Sequence, residues 1–165
     1  MRTVDGRVHG LALDSGAELW SNEQPVPRLS LRGTARPALA GDTVVCGFDN
    51  GKVAAFGVAK GEVLWESAVS PPRGRTELER MVDIDGSLAV SGHDVLVAGF
   101  QGRIAMLGLD SGQVWWSRDA SSYRGLALAA ETLYVTTSDS HVLGLRRRDG
   151  TTSWDQDALA RRGVT

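Results

Sequence analysis

A tryptophan that recurs four residues after a glycine is the feature that most constrains how this chain can fold. The spacing occurs four times in 165 residues, although the whole chain contains five tryptophans. The pairs are Gly16 with Trp20, Gly61 with Trp65, Gly112 with Trp116, and Gly150 with Trp154. The glycines lie about 38 to 51 residues apart, and a recurring spacing of this size is typical of an internal structural repeat.

Each repeat contains short apolar segments separated by turn residues. Ten residues before each glycine of the pairs stands another turn residue, namely Gly6, Gly51, Gly102 or Ser140. Further apolar segments lie at 44–46, 95–97 and 133–135, and others precede them at 37–40, 87–90 and 125–129. These segments lack helical periodicity and are rich in Val, Leu and Ala, which predicts antiparallel strands joined by tight hairpins. A full repeat therefore holds four strands.

Four-stranded antiparallel units at this period predict an all-β fold, a β-propeller with one unit per blade. We assign a half blade to residues 1–23 and full blades to 34–70, 86–120 and 124–158, which gives about fourteen strands. A β-sandwich is the alternative, but it does not require a repeated Gly-x-x-x-Trp. In the propeller, the large tryptophan ring on the outer strand fills the wedge between adjacent blades, so we interpret all four as core residues.

Three and a half blades do not close a ring, because propellers use 4–8 blades and closure protects the faces at the two ends. We therefore predict that the chain is a fragment of a larger propeller. The apolar faces of its terminal blades predict self-association, since large uncovered apolar patches mark interaction sites.

Composition and charge exclude several classes of function. The formal charge is −2, which gives no general attraction to phosphate backbones, so nucleic acid is not predicted as a partner. One cysteine, Cys46, allows no internal disulfide, and three scattered histidines supply no metal cluster. No segment is long and apolar enough to span a membrane, and no apolar export signal follows the first residues. No motif pairs a nucleophile with a base, so no catalytic residue is predicted.

Two long connections between blades, at 24–33 and 71–85, are predicted to lie on one face of the propeller. Long loops in a compact repeat bind partners or are solvated loops without function, and we favour partner binding. The first connection contains Leu29 and Leu31 beside two arginines. The second ends in Asp83 and Asp85, but the remaining ligands of a calcium loop are missing, so no metal site is predicted.

Several segments resemble known families. Residues 13–20 and 109–116, with their Asp-Ser-Gly turn and following tryptophan, resemble the repeats of pyrroloquinoline-quinone enzymes. Residues 29–33 and 80–85, with 47–51 between them, are similar to the BamB family, propeller lipoproteins of the outer-membrane β-barrel assembly machinery. This resemblance implies an eight-bladed, non-enzymatic scaffold that binds no cofactor. It also implies binding to the periplasmic domains of BamA, which assists the folding and insertion of β-barrel outer-membrane proteins.

The resemblance places the family's partner-binding positions at Leu29, Leu31 and Arg32 and at Asp83 and Asp85. It implies that the leucines bury apolar area, while Arg32 and the two aspartates form charge-assisted hydrogen bonds that fix the register. The resemblance also implies that full-length members of the family are held on the periplasmic side of the outer membrane by a lipid anchor. We expect neither that anchor nor a signal peptide within this chain.

Two other functions remain open. The chain could be a fragment of a quinoprotein dehydrogenase, but such enzymes resemble one another in having adjacent cysteines and acidic calcium ligands around the quinone. Cys46 has no neighbouring cysteine, so we expect a protein without enzymatic activity. The other alternative is a general propeller module that binds a different protein.

Overall fold

The computed structural model describes residues 1–25, 35–70, 83–100, 102–122 and 125–162. It contains fourteen strands and one short 3₁₀-helix. The strands are β1 (Arg7–Leu11), β2 (Glu18–Glu23), β3 (Ala38–Ala40), β4 (Thr43–Gly47), β5 (Lys52–Gly57), β6 (Val63–Ala68), β7 (Asp83–Ser91), β8 (Asp94–Phe100), β9 (Arg103–Gly108), β10 (Val114–Asp119), β11 (Leu126–Leu128), β12 (Thr132–Thr136), β13 (Val142–Arg146) and β14 (Thr152–Gln156). The helix is Ala160–Arg162.

The strands form four antiparallel sheets, each made of consecutive strands. Sheet 1 has two strands, β1 and β2, whereas sheet 2 (β3–β6), sheet 3 (β7–β10) and sheet 4 (β11–β14) each have four. The predicted half blade followed by three full blades is confirmed. Consecutive pairing follows from the short turns of two to six residues, because loops this short join neighbouring antiparallel strands.

The sheets are arranged like blades, with their first strands close together. β7 contacts both β3 and β11, so the first strands of sheets 2, 3 and 4 lie side by side. In the three four-stranded sheets the fourth strand is largely exposed, and every residue of β14 is exposed. The chain therefore runs from the inside to the outside of each blade, as in a propeller.

The core lies between neighbouring sheets. Val53 and Ala55 of β5 pack against sheet 3, while Ala54 and Phe56 on the opposite face pack with Val8 of sheet 1. Sheets 3 and 4 enclose a similar cluster. A sheet buried on both faces needs apolar residues at successive positions, which explains why 53–56 read as a continuous apolar segment.

A tryptophan on the outer strand joins each sheet to the next. Trp20, Trp65 and Trp116 each donate an indole hydrogen bond to a backbone carbonyl in the following sheet, on Val58 (2.8 Å), Leu109 (2.6 Å) and Arg147 (2.8 Å) respectively. The predicted wedge between blades is therefore confirmed for three tryptophans. The interpretation of Trp154 as a core residue is wrong, since it is 43% exposed because no described sheet follows sheet 4.

The strand that follows the second long connection begins earlier than predicted. β7 begins at Asp83, whereas the sequence places the boundary of the third blade at residue 86. The pairing of β7 with β8 shifts in register between Asp83 and Ser87, so an irregular section of strand extends the sheet at this end. The helix Ala160–Arg162 was not predicted, and among the described residues no helix has the length and apolar content needed to cross a membrane.

Candidate functional site

The turn at 48–51, between β4 and β5, is the centre of the candidate site. Phe48 N donates to Lys52 O (2.9 Å), and Gly51 N donates to Phe48 O (3.1 Å). The side-chain oxygen of Asn50 accepts from Lys52 N (3.1 Å), and Gly51 has a φ of +74°. An Asn that bonds its own backbone, followed by a Gly in the left-handed region, is a local sequence signal that fixes this turn.

The described ends of both long connections meet at this turn. Asn50 Nδ2 donates to Pro25 O (3.0 Å), where the first connection leaves sheet 1. On the other side, Ser70 N donates to Gly51 O (3.0 Å), where the second connection leaves sheet 2. Ile84 N, where that connection enters sheet 3, donates to Phe48 O (3.4 Å). One turn thus holds three of the four ends of the two connections.

Ile84 anchors the start of β7 against the turn. Its side chain is completely buried and belongs to the cluster between sheets 2 and 3. A Cβ at Gly47 would lie 2.6 Å from Ile84 Cγ2, so only glycine leaves enough space for Ile84 at this position. This contact fixes the backbone between Asp83 and Asp85.

A buried ion pair stabilises the turn at 48–51. Arg2 and Asp49 pair with side chains 0% and 1% exposed, which links sheet 1 to sheet 2. The guanidinium of Arg2 also lies 5.1 Å from the ring centre of Phe48, within the range of a cation–π interaction. Burial raises the pKa of the nearby Cys46 thiol to about 12, so this cysteine is neutral and a poor nucleophile.

The predicted partner-binding residues fall into two groups. Leu29, Leu31 and Arg32 lie outside the described residues. Asp83 and Asp85 lie in β7, on either side of Ile84, and their side chains are outside the described part of the chain. The backbone at Asp83 pairs with Phe100.

Asn50 and Ile84 were not predicted as residues of this site. The sequence does contain a signal for Asn50, since Asn followed by Gly51 is a typical turn pair. The role of Ile84 had no local signal, because its burial depends on contact with Gly47 in another sheet.

A groove of about 460 Å³ lies beside the corresponding turn of sheet 4, between β12 and β13. Ser138 N donates to Ser121 O (2.9 Å), so this turn also contacts the connection from the preceding sheet. A hydrogen bond from the Thr137 hydroxyl lowers the pKa of Asp139. His141 Nδ1 is 2.8 Å from Asp155 Oδ1, and this hydrogen bond raises the pKa of the histidine. His141 is thereby favoured as a cation in an ion pair.

In the part of the site that the structure describes, the contacts are hydrogen bonds of the backbone and of Asn50 to the ends of the connections. Within the five described ranges, no cluster of three His, Cys, Asp or Glu side chains is arranged to hold a metal ion. What the arrangement does is to hold three described ends of the two connections at one turn, at Pro25, Ser70 and Ile84.

Comparison with known proteins places this architecture in a family. The family model for "Outer membrane protein assembly factor BamB" matches residues 1–156. The protein of that name from Pseudomonas aeruginosa is 45% identical over 143 residues, which are 87% of this chain and 38% of that protein. The crystal structure of BamB from Moraxella catarrhalis superposes with a TM-score of 0.84 at 29% identity, over 92% of this chain and 46% of that one.

The europium-containing methanol dehydrogenase has the same fold, with a TM-score of 0.75 at 13% identity over 91% of this chain and 38% of that one. Identity this low shows a common propeller architecture and nothing about activity. The chain spans less than half the length of each of these three proteins. The match of the family model along almost the whole chain, together with the P. aeruginosa relative, shows that this chain belongs to the BamB family of outer membrane protein assembly factors.

Proposed function

We propose that the chain is part of a non-enzymatic scaffold for outer-membrane protein assembly, which acts on the periplasmic side of the outer membrane. Its partner is the set of periplasmic domains of BamA, bound through the two long connections. Leu29, Leu31, Arg32, Asp83 and Asp85 are the proposed contact residues. Binding there assists the folding and insertion of β-barrel outer-membrane proteins.

The observation that carries this proposal is the turn at 48–51, which holds Pro25, Ser70 and Ile84 together. Two connections whose ends are anchored at one turn can contact one partner at the same time. A rigid base also lowers the entropy lost when the loops bind. Membership of the BamB family supports BamA as the proposed partner, and the geometry of the turn supports the two connections as the proposed surface.

The same comparison supports a size for the complete propeller. Three four-stranded sheets and one two-stranded sheet cover 46% of the M. catarrhalis protein. A ring built of such sheets over the full length holds about eight blades, which is within the range that closes. We therefore propose that this chain supplies about half of an eight-bladed ring.

The test is a calorimetric titration of the chain with purified BamA periplasmic domains. Arg32→Glu introduces a negative charge at the proposed contact and is expected to weaken binding at least about tenfold, the loss of one charge-assisted bond. Lys60→Glu makes the same change of charge on the exposed turn between β5 and β6, at the opposite end of the strands, and is expected to bind like the unmodified chain.

The aspartates are tested in the same way. The double variant Asp83→Ala/Asp85→Ala is compared with Asp14→Ala/Asp42→Ala, which removes two exposed carboxylates from turns at the opposite end of the strands. Circular dichroism checks that every variant is folded. Equal affinity of the contact variants and their controls would refute the assignment of the contact residues, and absence of binding by the full-length protein would refute BamA as the partner.

A further inference from the structure

A groove of about 490 Å³ lies between sheets 3 and 4, at the ends of the strands opposite the turn at 48–51. Two turns of sheet 3, which join β7 to β8 and β9 to β10, form one side of it. The turn of sheet 4 that joins β13 to β14 forms the other side. The volume falls within the roughly 300–1,000 Å³ of small-molecule sites. The groove therefore has the size of such a site and lies away from the surface proposed to bind a protein.

Trp115 lines this groove at a position where the repeat does not require an aromatic residue. It directly precedes Trp116, and the residues at the same position in sheets 1, 2 and 4 are Leu19, Leu64 and Ser153. Trp115 is 54% exposed, so most of its ring is not part of the core. Tryptophan is enriched in binding sites, because its large ring has apolar faces and one polar edge. An exposed indole at a position that other sheets fill with leucine or serine therefore indicates a binding residue.

The ring of Trp115 is held against the turn of its own sheet. A Cβ built at Gly108 would lie 3.2 Å from Trp115 Cζ2 and 3.2 Å from Ser111 Oγ, so glycine leaves space for the ring to lie close to the backbone. Met106, which is 8% exposed, adds an apolar side chain to the lining of the groove. The lining thus contains a fixed aromatic ring and a thioether.

Arg147 fixes the two sides of the groove relative to each other. Its Nη2 donates to Asp94 Oδ2 (2.8 Å) and to Ser91 O (2.7 Å), which joins the turn of sheet 4 to the turn between β7 and β8. Trp116 Nε1 donates to the carbonyl of Arg147 (2.8 Å) and so adds a third link between the same two sheets. The groove is therefore pre-formed, and a ligand would not have to order these turns when it binds.

The polar groups that line the groove include both acceptors and donors of hydrogen bonds. Asp94 and Asp110 supply carboxylate oxygens that accept, whereas Arg148 and the hydroxyl of Ser111 donate. His93 also lines the groove, and its Nδ1 lies 3.1 Å from Asp110 Oδ2. Hydroxyl groups can both donate and accept, so a ligand with several hydroxyl groups matches this mixed lining.

The charges of the lining are balanced. Asp94 pairs with Arg147 at 2.8 Å, so its charge is already compensated. With histidine counted as neutral, the other charged groups of the described lining are the carboxylate of Asp110 and the guanidinium of Arg148. Because these two charges are opposite, the groove gives an ion no net electrostatic attraction and favours an uncharged ligand.

We propose that this groove binds an uncharged saccharide, with one hexopyranose ring stacked on Trp115. Such a ring has an apolar face of C–H groups and a rim of hydroxyl groups. The indole and Met106 contact the face, while Asp110 accepts hydrogen bonds from the rim and Arg148 donates to it. The groove and the turn at 48–51 lie at opposite ends of the strands, so this inference does not depend on the proposed scaffold function.

The test is a titration of the chain with cellobiose, whose glucose rings carry equatorial hydroxyl groups and flat C–H faces. NMR follows the indole N–H signals, of which the five tryptophans give five. The signal that is missing from Trp115→Leu identifies Trp115, and it is expected to shift until it saturates. Absence of a saturable shift in the folded chain, or a shift of other indole signals without that of Trp115, would overturn the proposal.

The role of the ring is tested with Trp115→Leu, which gives sheet 3 the residue of sheets 1 and 2 and keeps an apolar side chain without the flat ring. Saturation transfer from the protein to the C–H protons of cellobiose measures the affinity of each variant. Trp115→Leu is expected to bind at least about tenfold more weakly, the loss of one stacking contact. Leu64→Ala is the matched control at the corresponding exposed position of sheet 2 and is expected to bind like the unmodified chain. Equal affinities of Trp115→Leu and Leu64→Ala, both folded by circular dichroism, would refute stacking on Trp115.

The polar contacts and the class of ligand are tested in the same assay. Arg148→Ala removes a donor and is expected to weaken the binding of cellobiose about fivefold. Lys60→Ala removes an exposed cation from the corresponding turn of sheet 2 and is expected to leave binding unchanged. Choline chloride is the competing probe, because an indole beside a carboxylate also suits a cation. Saturable binding of choline that is tighter than that of cellobiose would overturn the assignment of an uncharged saccharide.

Discussion

The six-membered ring of Trp65 fills the space that a side chain at Gly112 would occupy, with Cδ2 2.6 Å from the position of a Cβ. Gly112 also has a φ of +66°, which other residues resist. Glycine is therefore required twice at this position, once for the turn between β9 and β10 and once for the tryptophan of the preceding sheet.

Gly112→Ala separates these two requirements when it is compared with Gly92→Ala. Both substitutions impose about 1–2 kcal/mol of backbone strain. Gly92 has open surroundings, so its variant is expected to lose that amount alone. Gly112→Ala also displaces Trp65 and is expected to lose a further 1–3 kcal/mol, roughly the cost of overpacking. Urea unfolding measures the difference, and equal losses of unfolding free energy in the two variants would contradict the packing of Trp65 on Gly112.

Trp65 is expected to be a major stabilising residue of the joint between sheets 2 and 3. Trp65→Ala should lower the free energy of unfolding by about 3–5 kcal/mol, the usual cost of truncating a buried aromatic residue. Trp115→Ala, on the exposed face of β10, should cost less than about 1 kcal/mol. Thermal unfolding of the two variants provides the comparison, and similar melting temperatures would show that Trp65 does not stabilise the contact between sheets 2 and 3.

The buried pair of Arg2 and Asp49 predicts a large asymmetry between single and double variants. Asp49→Ala removes the carboxylate and leaves the guanidinium buried, which is expected to cost about 3–5 kcal/mol. Arg2→Met together with Asp49→Leu removes both charges and should cost less than Asp49→Ala alone. Glu23→Ala, which breaks the exposed pair with Arg7, is the control and should cost under about 1 kcal/mol. A double variant less stable than Asp49→Ala would contradict this prediction.

His141 predicts a pH-dependent contribution to stability. The hydrogen bond that its imidazole donates to Asp155 raises the pKa of His141 above the ordinary 6.5, because the carboxylate favours the charged imidazole. A raised pKa means that this stabilisation is present below about pH 6.5 and is lost as the pH rises through the folded value. Titration of the imidazole by NMR should show a lower pKa in Asp155→Asn. An unchanged pKa in that variant would exclude Asp155 as the cause.

Ser140 offers a stabilising substitution. It has a φ of +66° at the turn before β13, where the corresponding turns of sheets 1 and 2 have Gly6 and Gly51. A non-glycine residue in this region carries about 1–2 kcal/mol of strain, so Ser140→Gly is expected to stabilise the chain by up to about 1 kcal/mol. The melting temperature should rise by a few degrees, and a fall would show that the serine hydroxyl makes a contact worth more than the strain.

The repeat predicted most of the fold because its signals are local. Turn pairs such as Asn50 with Gly51 and the apolar segments between them fixed the number and order of the strands. They could not fix the start of β7, because Ile84 is buried by contact with Gly47, which lies in a different sheet. The lengths of the two connections predicted that both lie on one face, and three of their described ends meet at one turn. The contact residues at 29, 31, 32, 83 and 85 stay predictions.

The sequence by itself determined that the chain forms four-stranded antiparallel units, since the short apolar segments, the turn chemistry and the repeat length act within each unit. The tertiary structure decided which residues join the units. Gly61 and Trp65 belong to one repeat, but Trp65 docks on Gly112 of the next sheet, while Gly61 receives Trp20 from the preceding one. The glycine and the tryptophan of one repeat therefore take part in two different contacts between sheets. Only the packing of neighbouring sheets brings each tryptophan to its glycine.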